Sequence, residues 1–248
     1  MKCINGSKPS TNNQFLESDD GQTVTQAHDI ANTLAKKFQE NSNNINSPHP
    51  TIIYNTIHHD LIHNDNNSLL NSPLTLKEIN STLASTKNSA PGPDNFPNLL
   101  LEMLPETGIN YLLKIFNCIW IHKVFPENWQ KAIVVLIPKP NKCKLNPNSY
   151  RPIALTNTMC RLLEKIVNRR LRWYVEVKTL LNPNQYGFRH YRSTTDVLTN
   201  LETNICDAFL NKEYIAAVCL HIEKAFDIIS RTKIINALIE LKVNGYLS

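Results

Sequence analysis

His221, Glu223 and Asp227 stand at the end of an apolar run, Ile215-Ala216-Ala217-Val218-Cys219-Leu220. Six apolar residues in a row predict a short buried strand. Ser230 and the spacing of Ile234, Ile235, Leu238 and Leu241 predict an amphipathic helix after it. Strand, polar turn and helix read as half of an α/β unit with functional groups at the strand's C-terminal end. Lys139 and Arg151 sit near the ends of two further strand-like runs and read as a basic hairpin, which a solvated surface hairpin explains as well. Arg161, Lys165, Arg169, Arg170 and Arg172 load one helix with positive charge, open both to a solvated face and to contact with a phosphate backbone. Arg189 and Arg192, near Tyr186 and Phe188, suit a groove for single-stranded nucleic acid, where bases stack and phosphates need cations. His58, His59, Asp60 and His63 include two histidines one helical turn apart. They read as a solvated polar segment, because metal sites carry clearer ligand spacing.

Composition bounds these readings. The 248 residues suffice for one domain or a large piece of one, and 42% hydrophobic content supplies a core. A net charge of +5 is compatible with nucleic acid. Only 6 glycines are present, so no glycine-rich phosphate loop is expected. The cysteines, among them Cys118, Cys206 and Cys219 on apolar faces, form no C-x-x-C pair and read as reduced and buried rather than as zinc ligands or a disulfide framework. No signal peptide or membrane-spanning run is visible, so the sequence predicts a soluble intracellular protein with no membrane partner.

Several elements must position these groups. Residues 1–22 are polar and read as poorly ordered. A helix is predicted from Thr23 to Glu40, apolar at Ala27, Ile30, Leu34 and Phe38, and residues 41–72 read as linker. Thr75 and Glu78 form a capping box ahead of a helix with Leu76, Ile79 and Leu83. Ala90-Pro91-Gly92-Pro93-Asp94 cannot continue a helix and predicts a fixed turn. One helix is expected from Leu99 to Val124, with Leu112, Leu113, Phe116, Ile119 and Trp120 in the core. Ala132–Ile137 predicts a buried strand, and Tyr150–Leu155 a second one. A long helix follows from Thr158 to Val177, with Leu162, Leu163, Ile166, Leu171 and Tyr174 facing the core. Ser193 and Asp196 cap another, apolar at Leu198, Leu201, Ile205 and Phe209.

Several of these segments together resemble the reverse transcriptase domain of jockey-like non-LTR retrotransposons. Ile222-Glu223-Lys224-Ala225-Phe226-Asp227 is similar to the run after that family's first catalytic aspartate, and His221 holds the aspartate's own position. Ala90-Pro91-Gly92-Pro93-Asp94 matches the signature that opens the domain, with Asn95 and Phe96 departing from the usual continuation. Ile137-Pro138-Lys139-Pro140 through Tyr150-Arg151-Pro152-Ile153-Ala154-Leu155 looks like the fingers. Gln185-Tyr186-Gly187-Phe188-Arg189 and Arg192-Ser193-Thr194-Thr195-Asp196 match a further block, in which the family usually has glycine where Tyr191 stands.

The resemblance implies an α/β right-hand polymerase fold, fingers plus the first part of the palm. It covers residues 75–248, with 1–74 as a polar, partly helical segment ahead of the polymerase. It implies that Lys139 and Arg151 grip the incoming triphosphate, that Phe226 forms the wall under the sugar, and that Arg169, Arg170, Arg189 and Arg192 contact nucleic acid. The implied partners are an RNA template, a DNA primer and deoxynucleotides, with Mg²⁺ as cofactor. Two of the family's three metal-binding aspartates lie in a Tyr-x-Asp-Asp hairpin, and no Asp-Asp pair follows Asp227 here. An imidazole at 221 brings no carboxylate oxygen and no negative charge. The expectation is therefore a chain without the upstream endonuclease, later palm or thumb, an internal slice of a transposon polyprotein. It is expected to be inactive, with a non-catalytic RNA-binding module or a transposon remnant as the alternatives.

Overall fold

The computed structural model describes residues 16–17, 23–43, 68–222, 225, 229 and 231–243. The predicted His58, His59, Asp60 and His63 cluster and Glu223, Phe226, Asp227 and Ser230 lie outside them. The chain divides into two compact units, Met1–Leu171 with Asp227–Ser248, and Arg172–Phe226. The architecture is mixed helix and small sheet, consistent with α/β.

In the first unit, β1 (Leu16–Glu17) pairs antiparallel with β2 (Thr23–Val24), so this polar terminus contains paired strand where looseness was expected. The first helix, α1 (Ala27–Asn43), starts later than its periodicity suggested because Thr23 and Val24 are in the sheet. Leu34 is buried on its inner face. A short helix α2 (Ser68–Asn71) ends the segment read as linker. Then α3 (Leu76–Ala84) begins at the expected capping box, Thr75 Oγ1 accepting from the Glu78 amide and the Glu78 carboxylate accepting from the Thr75 amide at 2.9 Å.

The single helix expected from Leu99 to Val124 is two: α4 (Asn98–Glu102) and α5 (Glu106–His122). Pro105 divides them, since its ring would clash with the preceding turn and it has no N–H to donate. The C-cap Lys123 of α5 is left-handed, φ 56°. Leu112, Phe116 and Trp120 repeat along α5 at every fourth residue and are buried, while Leu113 and Ile119 are partly buried. They meet Leu74, Ile79, Leu83 and Leu101 and, from α6 (Thr158–Val177), Leu162, Leu163 and Ile166 to make the principal core. Phe116 has no exposed surface.

Strands β3 (Ile133–Pro138) and β4 (Tyr150–Leu155) form an antiparallel hairpin, with Ile133 opposite Leu155 and Pro138 opposite Tyr150. The expectation of a buried strand is corrected here. Two strands alone enclose no core, and Ile133, Val134, Val135 and Ile137 are all exposed. The last helix of this unit is α8 (Arg231–Glu240), preceded in chain order by α7 (Thr194–Leu210) of the other unit.

The Ala90–Asp94 turn is the joint of the first unit. Asp94 Oδ2 accepts from the backbone N–H of Thr158 at 2.8 Å, placing a carboxylate on the first amide of α6. Thr158 Oγ1 in turn donates to the carbonyl of Phe96. Gly92 lies so close to the end of β4 that a Cβ on it would fall 2.2 Å from the carbonyl oxygen of Thr156.

In the second unit, Ser193 and Asp196 make the expected capping box of α7. Its Leu198, Leu201 and Phe209 are exposed rather than buried. The predicted strand 215–220 does not form: Glu213–Ile222 has no regular structure, and Val218 and Leu220 are exposed. A strand needs a neighbour for its amides and carbonyls, and no described strand pairs with it. Cys118, Cys206 and Cys219, expected in apolar interiors, are exposed, because the faces they share are uncovered. Among the described cysteines Cys160 is the buried one. Burial and the neighbouring Glu164 carboxylate push its thiol up to about 12. Among the described residues no helix is long and apolar enough to cross a membrane.

This packing makes two stability predictions. Gly92→Ala should cost about 1–3 kcal/mol, because the clash is with backbone that cannot rotate away; an unchanged urea midpoint would contradict the tight docking. The second concerns Glu78. Burial alone would raise its pKa, but hydrogen bonds from Arg170 and Thr75 hold it below the ordinary 4.5. A lowered carboxylate stabilises the fold above its unfolded pKa and loses that contribution as pH falls through the folded value. Because Glu78 is partly exposed, Glu78→Gln should cost about 1 kcal/mol at neutral pH. The difference should shrink below pH 4.5, measured by urea unfolding over a pH series. A difference that stays constant into acid would contradict it.

Candidate nucleic-acid interface

The β3–β4 hairpin carries the first pair of cations. Arg151 is opposite Ile137, and the ladder continues one step past β3, with the Lys139 amide donating to the Ser149 carbonyl at 2.7 Å. Residues two apart share a face of a strand. Lys139 and Arg151 are therefore diagonal neighbours on one face, roughly 7–8 Å apart at that register. The connecting loop is tied down locally. Tyr150 Oη donates to the Lys144 carbonyl at 2.8 Å, Asn146 Oδ1 accepts from the Asn148 amide at 2.8 Å, and Lys139 Nζ donates to the Asn148 carbonyl at 2.8 Å. Arg151 is exposed, and among the described residues its guanidinium has no carboxylate partner. Two cations on one face, one of them a planar guanidinium, suit an anion with several oxygens.

The basic face of α6 separates into two kinds of contact. Arg170 is engaged by Glu78, Nε to Oε1 at 2.6 Å and Nη2 to Oε2 at 2.8 Å. It also donates to the Ser72 and Pro73 carbonyls and lies 5.5 Å over the Trp120 ring. Its side chain is only 10% exposed, so it ties α6 to the N-terminal end of α3. Among the described residues Arg169 meets only hydroxyls: Ser81 at 3.3 Å, Thr82 at 2.8 Å and Ser85 at 2.5 Å.

In the second unit, Arg189 chelates Glu176 through Nε at 3.0 Å and Nη2 at 2.7 Å, and its Nη1 donates to the Asn182 and Gln185 carbonyls. The hydrogen bond from Arg189 holds the Glu176 carboxyl below its usual range. These bonds fix a loop in which Phe188 and Tyr191 take left-handed backbone, φ 62° and 57°. Tyr191 thus adopts a conformation that glycine adopts freely. Both rings project into solvent. Arg192 lies 5.1 Å over the Tyr186 ring, and Tyr186 Oη is hydrogen-bonded by the Asn200 side chain. Exposed rings beside a cation are suited in chemistry to stacking bases and neutralising phosphates.

His221 is exposed and in no strand. Among the described residues no three His, Cys, Asp or Glu side chains gather to hold a metal ion. With no carboxylate at 221, the described residues do not fit a Mg²⁺ site. Sequence reasoning also missed the Asp94 cap on α6 and the Arg170–Glu78 pair, and it named Arg161, Lys165 and Arg169 among the cations of α6 without separating them from Arg170.

Comparison with known proteins adds the family. Residues 137–247 match the family described as Reverse transcriptase (RNA-dependent DNA polymerase). The chain is 36% identical over 161 residues to a protein named Probable RNA-directed DNA polymerase from transposon BS, of Drosophila melanogaster, covering 64% of this chain and 18% of that protein. It is 33% identical over 156 residues to RNA-directed DNA polymerase from mobile element jockey, of Drosophila funebris, covering 62% of this chain and 17% of the relative. With the Retrovirus-related Pol polyprotein from type-1 retrotransposable element R2, of Popillia japonica, identity is 29% over 175 residues, 69% of this chain and 23% of the relative. The chain thus spans less than a quarter of the length of these relatives. With the residue motifs that the hairpin and the Arg189–Asp196 loop carry, these similarities identify residues 137–247 as part of a reverse transcriptase domain, similar to those of non-LTR retrotransposons.

Proposed function

We propose that this chain is the fingers and first part of the palm of a right-hand polymerase, within residues 75–248, with residues 1–74 a linker segment ahead of it. It grips nucleotide and template but does not polymerise by itself. The observation that carries this reading is the placement of Lys139 and Arg151 on one face of the β3–β4 hairpin, within the segment that matches the reverse transcriptase family. Their charges suit the triphosphate of an incoming deoxynucleotide, Arg151 binding two oxygens through its planar fork and Lys139 acting as a point charge. Phe226 is assigned to the wall under the sugar. Arg192, with the exposed rings of Phe188 and Tyr191, takes a single-stranded stretch of RNA template, and Arg189 holds that loop through Glu176. Of the two α6 arginines, Arg169 is directed to nucleic acid and Arg170 supports the face from behind.

Polymerisation in this family joins a primer hydroxyl to an α-phosphate with divalent metal ions, for which Mg²⁺ and carboxylate oxygens are the natural pairing. These 248 residues hold histidine where the first carboxylate belongs and no Asp-Asp pair after Asp227. The chain alone therefore binds without catalysing. Primer extension on an RNA template with Mg²⁺ and deoxynucleotides should give no product, either for the chain or for His221→Asp. Single-stranded RNA should nonetheless bind with an affinity that falls steeply with salt. Extension by the unmodified chain would overturn the assignment of inactivity, and the absence of RNA binding would overturn the template-binding role.

A further inference from the structure

Arg161, Lys165 and Arg169 recur every four residues along α6, about 6 Å apart on one helix face. Each reaches across to hydroxyls on or just beyond α3, in antiparallel order. Arg161 Nη1 donates to Ser89 Oγ at 3.0 Å, Lys165 Nζ to Thr86 Oγ1 at 3.2 Å, and Arg169 to Ser81, Thr82 and Ser85. Among the described residues none of the three forms an ion pair with a carboxylate. The adjacent Arg170 does, so a neutralising partner is supplied on one side of α6 and withheld on the other. Between Arg161 and Lys165 opens a cleft of about 100 Å³, also lined by Thr86, Ser89 and Asn98. The Nε–H of Arg161 is buried and has no hydrogen-bond acceptor among the described residues.

We propose that Arg161, Lys165 and Arg169, with the hydroxyls of Ser81, Ser85, Thr86 and Ser89, form a track for consecutive phosphates of a nucleic-acid strand. The proposal rests on the reading of this chain as a template binder and adds a binding surface to it. A row of cations without ion-paired carboxylates repels itself. Burial, then Arg161 and Arg169, lower the Lys165 pKa, and a bound anion offsets the repulsion among the three cations. The choice of a polynucleotide over a lone phosphate comes from the repeat. Three cations at equal steps, comparable with the step between phosphates of one strand, exceed what a single tetrahedral anion can contact. The hydroxyls add neutral donors of the kind that bond phosphate oxygens, and the Arg161 Nε–H gains an acceptor.

The test is fluorescence anisotropy of a single-stranded RNA oligonucleotide at increasing salt, comparing the chain with the combined variant Arg161→Gln, Lys165→Gln and Arg169→Gln. The slope of log affinity against log salt should flatten by about 0.7 for each phosphate that the variant leaves unneutralised, roughly two units in total. Lys165→Arg alone should keep the slope. Circular dichroism melting reports whether the combined variant folds. In the unmodified chain, acetylation of Lys165 should slow in the presence of the RNA, which needs no variant. RNA binding by the chain, an unchanged slope in a folded variant and no protection of Lys165 would overturn the track while leaving template binding intact. If the variant does not fold, protection of Lys165 decides alone. A chain that binds no RNA overturns both readings.

Discussion

The carboxylate of Asp94 on the Thr158 amide is the contact on which the rest of the first unit depends. It closes a separation of 64 residues and fixes where α6 begins. Because β4 ends at Leu155, it also fixes the base of the hairpin. Gly92 makes this possible, since its missing Cβ lets the turn lie against the Thr156 carbonyl. Phe96 receives the Thr158 hydroxyl and completes the joint. One rigid proline-flanked turn thus orients both cationic elements of this unit, the hairpin with Lys139 and Arg151 and the helix with its arginines.

Charge on α6 is partitioned by what faces it. Toward the start of α3, Arg170 meets the Glu78 carboxylate that already caps that helix, so one acid serves both the cap and the ion pair. Toward the end of α3, Arg161, Lys165 and Arg169 meet hydroxyls alone. The same separation appears in the second unit. Arg189 is held by Glu176, whereas Arg192 lies on an aromatic ring beside exposed Phe188 and Tyr191. In both places an arginine with a carboxylate builds the scaffold, while among the described residues the neighbouring cations form no ion pair with a carboxylate.

Local features were legible in the sequence because their physics is local. The Thr75–Glu78 and Ser193–Asp196 capping boxes, the span of α6, the hairpin strands and the fixed turn at Ala90–Asp94 could all be read from neighbouring residues. Features that depend on distant partners could not. The run Ile215–Leu220 is apolar enough for a strand, but pairing decides strands, and no described strand meets it. The hairpin strands formed yet stayed exposed, since β-branched composition reports strand preference and not what covers the face. That Asp94 would cap a helix 64 residues away, or that Arg170 and Arg189 would be consumed by acids, is invisible to spacing. The reverse transcriptase motifs were legible because they are short and contiguous.

Hydrogen exchange read amide by amide, comparing the chain with Asp94→Ala, tests the central role of this turn most directly. Loss of the Asp94 carboxylate should deprotect the amides of Thr158–Arg161 and of β4, while the α5 amides around Phe116, buried in the main core, keep their protection. Protection of the first turn of α6 that survives the substitution, or protection lost evenly across α5 and α6, would contradict it.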